Sequence, residues 1–588
     1  MTARPPVNTA LACGLILSIV IAPATGAPVA TGHGGAVATI SAQASQAALT
    51  ILNNGGNAVD AAVAAAATLG VTDPFSCGIG GGGFMVIYLA RDKRVITIDH
   101  RETAPAKAGA TLFERDGKPI DFETAVASGA AVGVPGTVRG WHEALERYGS
   151  MRFAQVLAPA IAVADTGFRV NATFNGLVDQ NLAKFRQFTP TSALYLHDGK
   201  AIPTGTLLRN PGMARAYRAI ASGGVKAFYE GPMARAIVDT VNRPPVAKGV
   251  NVRAGTMTLA DLANYEARIR PALRSTYRGY ELYGMPLPSS GGATVAHALN
   301  ILEGYDLKAL PRAQAEHLYI EASRFAFADR NAYLADPEYI DAPLAGFLSK
   351  DFAATRRALI SLEKAAPGAV AAGNPYPFQN DPSVPLLPPV RASIRPPPES
   401  LHTTHLTVSD KDGNVVAYTF TIESWGGSGI VVPGYGFLLN NEMTDFDFAG
   451  PHPNVPEAGK RPRSSMAPTI ALKDGKPAFS VGSPGGATII TTVLQTIVNY
   501  VDFGMPMHQA VDAPRISQRN AATTSIEPGF AGSAQATALA RFGQRWESPP
   551  EEIGAANALV FNADGTVTAV SESKRHGAGT ALVQQRGH

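Results

Sequence analysis

At 588 residues the chain is longer than one ordinary hydrophobic core supports, so one very large domain or two tightly joined ones are expected. Apolar residues make up 45 % and charged ones 16 %, which excludes a disordered protein. Basic residues number 50 against 47 acidic ones, a formal charge of +3 with no Lys/Arg run, so nucleic acid is not an expected partner.

The first segment, MTARPPVNTALACGLILSIVIAPATGA, carries one arginine, then an apolar run from about Ala10 to Ala22, then small residues. It reads as a secretory signal, too short and too poorly flanked for a stable membrane anchor, with Ala22-Pro23-Ala24 as its cleavage site. Residues 1–24 would then be removed and the protein would be periplasmic or secreted. Loss of Cys13 leaves only Cys77, which excludes an intrachain disulfide and a cysteine metal cluster. From Ala36 to Thr72 an alanine-rich stretch predicts two helical segments broken by Asn53-Asn54-Gly55-Gly56. The run from Gly80 to Gly83 invites a nucleotide-binding reading, which needs a strand before it and a helix after it. FMVIYLARDKRVITID follows instead, a strand–turn–strand pattern bending at Arg91-Asp92-Lys93. The glycines therefore serve close backbone packing or a tight turn. The next 200 or so residues alternate helical patterns, such as EHLYIEASRFAFADRNAYLAD, with short loops. A tract rich in Pro, Gly and Ala from about residue 365 to 402 reads as a linker. Beyond it the chain is strand-rich: a hairpin from His402 to Ile422, then GFLLNN, TIALKDGKPAFSVGSPGG, ALVFNADGTVTAVSE and TALVQQ. Helices and strands on both sides of one linker predict an α+β sandwich built from both halves. The 12 histidines show no HExxH or comparable spacing, so neither a metal nor another cofactor is expected.

The hairpin HTTHLTVSDKDGNVVAYTFTI turns at Lys411-Asp412-Gly413-Asn414 and opens with two adjacent threonines, directly after the linker. Alternation places His405 and Thr407 on the face of Thr403, and Leu406 and Val408 on that of Thr404. Thr421, near the end of the second strand, lies opposite the threonine pair to within one residue of register. Thr is a good strand residue, and alone the pair would need no other explanation. A hydroxyl is a poor nucleophile without a base, and no G-x-S-x-G signature supplies one. A threonine that becomes a chain N-terminus carries its own base, an α-amine with a pKa near 7.7–8. That requires a cut in the tract ending at His402, where a break is tolerated. Strand geometry does not choose between Thr403 and Thr404.

GGNAVDAAVA, GIGGGGFM, HRETAPAKA, GVPGTVRGW, LPSSGGAT, TTHLTVSDKDGNVVAYTFTI, LLNNEMTDFD, KRPRSSMAPTI and GSPGGATIITTVLQ occur in this order. Together they resemble the γ-glutamyltransferases (γ-glutamyltranspeptidases) of the N-terminal nucleophile hydrolases, across essentially the whole mature chain. The resemblance implies a four-layer αββα sandwich formed by autocleavage of one precursor. It implies a γ-glutamyl-enzyme ester, made from glutathione or other γ-glutamyl amides and released to water or to amino acid or peptide acceptors. It assigns Thr403 as nucleophile and the cut to the His402–Thr403 bond, giving a heterodimer of residues 25–402 and 403–588. Thr421 would assist it, and Gly485 and Gly486 would form the oxyanion hole. Arg101 with Ser464 and Ser465 would bind the substrate α-carboxylate, and Glu442 and Asp445 its α-ammonium. Glu423 stands where many members carry Asn and would add a further carboxylate. Taken singly, Arg101 reads as an ion pair, GSPGG as a loop, Ser464-Ser465 as a cap, and the acids as turn residues. The stretch from Asp445 to Ser464 is shorter than the lid of many members, so the site is expected to be open to solvent. Two rival readings remain. One is an acylase of the same architecture acting on cephalosporin side chains or poly-γ-glutamate. The other is an uncleaved, non-catalytic binding homologue.

Overall fold

The computed structural model describes residues 28–379, 402–577 and 579–585, with His402 and Thr403 still joined in one chain. The signal segment and most of the Pro-rich tract lie outside the described residues.

Two seven-stranded sheets stack face to face. The first runs, edge to edge, Arg268–Pro271, Arg94–Asp99, Gly82–Leu89, Val415–Thr421, Thr404–Ser409, Ala36–Thr39 and Thr580–Val583, with every neighbouring pair antiparallel. The second runs Val29–Gly32, Val567–Val570, Asn557–Phe561, Lys476–Gly482, Thr469–Lys473, Tyr280–Gly284 and Leu273–Tyr277, again antiparallel throughout. The expected hairpin thus sits in the middle of the first sheet, with strands from the first half of the sequence on both flanks. Its side chains alternate as predicted. Thr407 Oγ1 meets Ser480 Oγ of the second sheet at 2.5 Å, while Leu406 and Val408 point into the core beneath the helices.

The outer layers are helical. On the first sheet lie Ala42–Asn53 and Ala58–Thr72, the two segments expected on either side of the Asn-Asn-Gly-Gly break. The second is buried from Ala58 to Val71, which its alanines permit because they let a helix approach a sheet without steric conflict. Its start is fixed by Asn57, which accepts from the Val59 and Asp60 N–H groups, while Asp60 accepts from the Asn57 N–H. Against the second sheet lie Gly291–Leu302, Arg312–Tyr333 and Thr488–Val501. The architecture is an α+β, four-layer αββα sandwich.

Four local expectations differ from the structure. Ala36–Thr39 is a strand rather than part of a helical stretch, and Arg268–Gly284 contributes three strands to a region read as helical. GFLLNN forms only an isolated bridge, Val431 to Leu438. Residues 365–379, expected as a loose tract, are tied down: the Ala365 N–H bonds Phe542 O at 2.7 Å, and the Gly373 N–H bonds Asp329 at 2.6 Å. Buried polar partners, invisible to composition, hold them.

The glycine run does serve close packing. A Cβ on Gly81 would lie 1.9 Å from the Thr421 carbonyl oxygen, so only glycine lets this segment press against the end of the second hairpin strand.

Candidate active site

The hairpin register pairs Thr404 with Phe420 and His405 with Thr419, so one further step sets Thr403 opposite Thr421. Their hydroxyl oxygens are 3.3 Å apart. Thr403 Oγ1 also lies against the carbonyl oxygen of His402, to which Thr421 Oγ1 donates at 3.2 Å. Thr403 is thus the hydroxyl that lies beside both the His402 carbonyl and the Thr421 hydroxyl. Thr404 points the other way, its hydroxyl buried. His405 bonds Thr419 Oγ1 at 2.8 Å, and burial lowers its pKa to about 3, so it is a neutral prop rather than a base.

Gly482 ends a strand of the second sheet, and Ser483-Pro484-Gly485-Gly486 leads into the helix Thr488–Val501. Gly485 has φ 132° and Gly486 φ 53°, and a Cβ on Gly485 would meet Thr488 Oγ1 at 2.5 Å. No side chain fits there without strain. Among the described residues neither glycine N–H donates to a protein acceptor. Gly486 and Ile489 line the same cleft as Thr403, and the start of a 14-residue helix adds a positive dipole end to it.

That cleft also gathers Arg101, Glu423, Glu442, Asp445, Ser464 and Ser465. Arg101 is 1 % exposed. Its guanidinium is ion-paired with Glu442 and Asp445 and donates to the Pro462 and Arg463 carbonyls at 3.3 Å each. Burial works against the guanidinium charge, but Glu442 and Asp445 outweigh it and raise the pKa further. The neighbouring carboxyls behave differently. Burial, helped by the charge on Asp445, pushes Glu423 up to about 8. Burial pushes Glu102 up to about 7 and Glu442 well above the ordinary range, in both cases against the pull of Arg101. Glu423, at φ 77°, accepts from Ser424 Oγ at 2.6 Å and from the Asn441 amide. Of this set only Asp445 is substantially exposed, at 22 %.

Ser464 is held by the LPSSGGAT segment: Ser290 Oγ donates to its carbonyl at 2.6 Å, and its own hydroxyl caps the Met466 N–H at 3.1 Å. Ser465 Oγ accepts from Arg330 at 2.5 Å. Arg330, Arg463, Thr444 and Met466 also line the cleft, and no motif in the sequence singles them out. The available signal for Arg330 was a charge within an apolar helical pattern, where it is now 1 % exposed.

The short segment between Asp445 and Ser464 is tied to the end of the long helix and the loop after it, with His452 Nε2 3.0 Å from Asn331 O and Tyr339 OH donating to Ala458 O at 2.8 Å. The uncut cleft is tight, with about 30 Å³ of free space and His402 as part of its wall. That is room for one water, not for a glutamyl group.

The family model described as Gamma-glutamyltranspeptidase matches residues 44–582. The chain belongs to the gamma-glutamyltranspeptidase family. It is 37 % identical over 561 residues to the glutathione hydrolase proenzyme of Bacillus subtilis strain 168, covering 94 % of this chain and 92 % of that protein. It is 38 % identical over 564 residues to the acylase ACY 1 proenzyme of Pseudomonas sp. strain V22, covering 94 % of each. Among solved structures, the cephalosporin acylase from Bacillus halodurans superposes with TM-score 0.82 at 27 % identity, covering 95 % of this chain and 97 % of that one. Family membership makes the chain an enzyme of the N-terminal nucleophile type. The family model and the glutathione hydrolase proenzymes support γ-glutamyl chemistry better than the acylases support theirs.

Proposed function

We propose that the chain is an exported γ-glutamyltransferase and glutathione hydrolase that activates itself by cutting between His402 and Thr403. Supporting the cut, Thr403 Oγ1 lies against the scissile carbonyl and Thr421 donates to that carbonyl's oxygen. Thr403 Oγ1 attacks the His402 carbonyl carbon, the bond to the Thr403 nitrogen breaks with transfer of the hydroxyl proton to that nitrogen, and an ester remains. Water then hydrolyses the ester, leaving a His402 carboxylate, a free Thr403 hydroxyl and its α-amine.

In the mature site the α-amine takes the hydroxyl proton as Oγ1 attacks the γ-carbonyl. The oxyanion meets the Gly485 and Gly486 N–H groups, donors worth about 3–4 kcal/mol each in comparable sites. The leaving amine departs with the proton, and water or an acceptor amine repeats the sequence on the ester. The observation that carries the substrate assignment is charge balance. Burial favours the neutral forms of Glu423 and Glu442, and Arg101 and Asp445 face each other as one positive and one negative partner, while the cleft's other two arginines are engaged elsewhere, Arg330 by Ser290 and Ser465 and Arg463 by Asp447. A free amino-acid end carries one of each, and guanidinium suits its carboxylate bidentately. Ser464 and Ser465 complete the carboxylate side, and Glu423, Glu442 and Asp445 the ammonium side. Removal of residues 1–24 would leave the protein in the periplasm or medium; among the described residues no helix is long and apolar enough to cross a membrane.

The purified protein should run as two chains on a denaturing gel, the smaller beginning Thr-Thr-His and the larger Thr25. It should release the amine from a γ-glutamyl anilide, faster with a dipeptide acceptor. Equal turnover of glutaryl anilide, which lacks the α-ammonium, would replace this reading with the acylase.

A further inference from the structure

Beside the catalytic cleft lies a second groove of about 730 Å³, and among the described residues His402 is the one that lines both. Trp425 and His576 line the groove, with Leu177, Glu551, Glu552 and Lys574. Trp425 stands on the loop that leaves the Thr421 strand, two residues past Glu423. Lys184 pins that loop from across the sequence, donating to Trp425 O at 2.6 Å and Gly427 O at 3.0 Å. The Trp425 and His576 rings are 5.0 Å apart, and burial lowers the His576 pKa to about 4, so its ring is neutral. The uncut chain shows what this surface accepts. The His402 imidazole lies on the Trp425 indole at 4.0 Å between centroids, with the ring planes 33° apart.

Building on the function proposed above, we propose that this groove is the amine subsite, and that Trp425 with His576 selects leaving and acceptor amines bearing an aromatic or imidazole ring. The glutamyl end is committed to the Arg101 and Asp445 side of Thr403. The amine attached to the other side of the reacting carbonyl must extend elsewhere, and the groove that meets the cleft at His402 is the one with the room. Once the bond to Thr403 is cut, the His402 ring is no longer tethered there, and the surface it covers becomes exchangeable. Glu551, Glu552 and Lys574 offer both signs to a zwitterionic amino acid or dipeptide. In the transfer step the neutral acceptor amine attacks the ester carbonyl and the C–N bond forms. The C–Oγ bond of Thr403 then breaks, and the nitrogen's proton returns to Oγ1 through the α-amine.

The test uses the cut enzyme, a ring-free donor (γ-glutamyl methylamide), and phenylalanine, histidine and alanine as competing acceptors. Wild type should favour phenylalanine and histidine. Trp425→Ala should lower the phenylalanine-to-alanine ratio of acceptor kcat/KM roughly 3- to 10-fold, the range expected for one ring–ring contact, and Trp425→Phe should keep most of it. His576→Ala, further from the scissile bond, should lower the ratio less and decides the matter if Trp425→Ala stays uncut. An unchanged ratio in a cut variant overturns the subsite. Failure of cut wild type to hydrolyse the donor at all defeats the functional reading itself, and the subsite with it.

Discussion

The two sides of the cleft are built on opposite principles. The side proposed to hold the nucleophile, Thr403 and Thr421 with the Gly485-Gly486 loop, has no ionisable side chain of its own; it offers hydroxyls and backbone amides. The recognition side packs Arg101 among Glu102, Glu423, Glu442 and Asp445, all but Asp445 nearly inaccessible to water. The first needs its base created by breaking the chain, because none is supplied. On the second side burial pushes three of the four carboxyls, Glu102, Glu423 and Glu442, toward their neutral forms against the pull of Arg101. Changes on the first side should therefore act on maturation and kcat, and changes on the second on KM and pH dependence.

The largest expected effect comes from removing the nucleophile. Thr403→Ala should remain a single chain on a denaturing gel and lose about 10⁴-fold or more in kcat. A cut and active variant would dissolve the distinction altogether. Next comes the oxyanion loop. Gly485→Ala forces a side chain onto φ 132° and into Thr488, so kcat should fall about 10²-fold while KM changes little. A pure KM effect in steady-state kinetics would move Gly485 to the recognition side.

Arg101→Lys keeps the charge but loses the planar fork, so KM for glutathione should rise about tenfold with normal cleavage and a smaller change in kcat. If Arg101→Lys and Asp445→Ala both leave KM unchanged, the charge-balance assignment is wrong. The last effect is on stability rather than on turnover. Glu423 has a folded pKa of about 8, well above its ordinary value of 4.5. Its contribution is fully present below pH 4.5 and is lost as pH rises through 8, because the unfolded chain releases the proton first. Glu423→Gln cannot lose a proton, so its Tm should draw ahead of wild type between pH 5 and 8. Parallel Tm curves measured by calorimetry would show that Glu423 is not held neutral.

Much of this was legible in the sequence. The hairpin, its alternation and the Thr421 partner follow from period-2 patterning and a turn signal, which act within about 20 residues of chain. The order of the motifs carried the family, and with it the four layers. Arg330 was not legible, because a buried arginine on a helix looks like any helical charge until Ser290 and Ser465 are seen to receive it. Nor was the packing of residues 365–379, whose partners lie on Arg312–Tyr333 and beyond residue 500.

By itself the sequence determined where the strands alternate, where the glycines must be, and which residue types the chemistry has at hand. The order of the motifs pointed to Thr403 rather than Thr404, and the tertiary structure added what strand patterning could not, the Thr421 hydroxyl beside Thr403 and on the His402 carbonyl. It also set the protonation of the carboxyls. A glutamate's charge follows from its burial and its neighbours, and those neighbours, Arg101 and Asp445, are 344 positions apart in sequence and in contact in the fold.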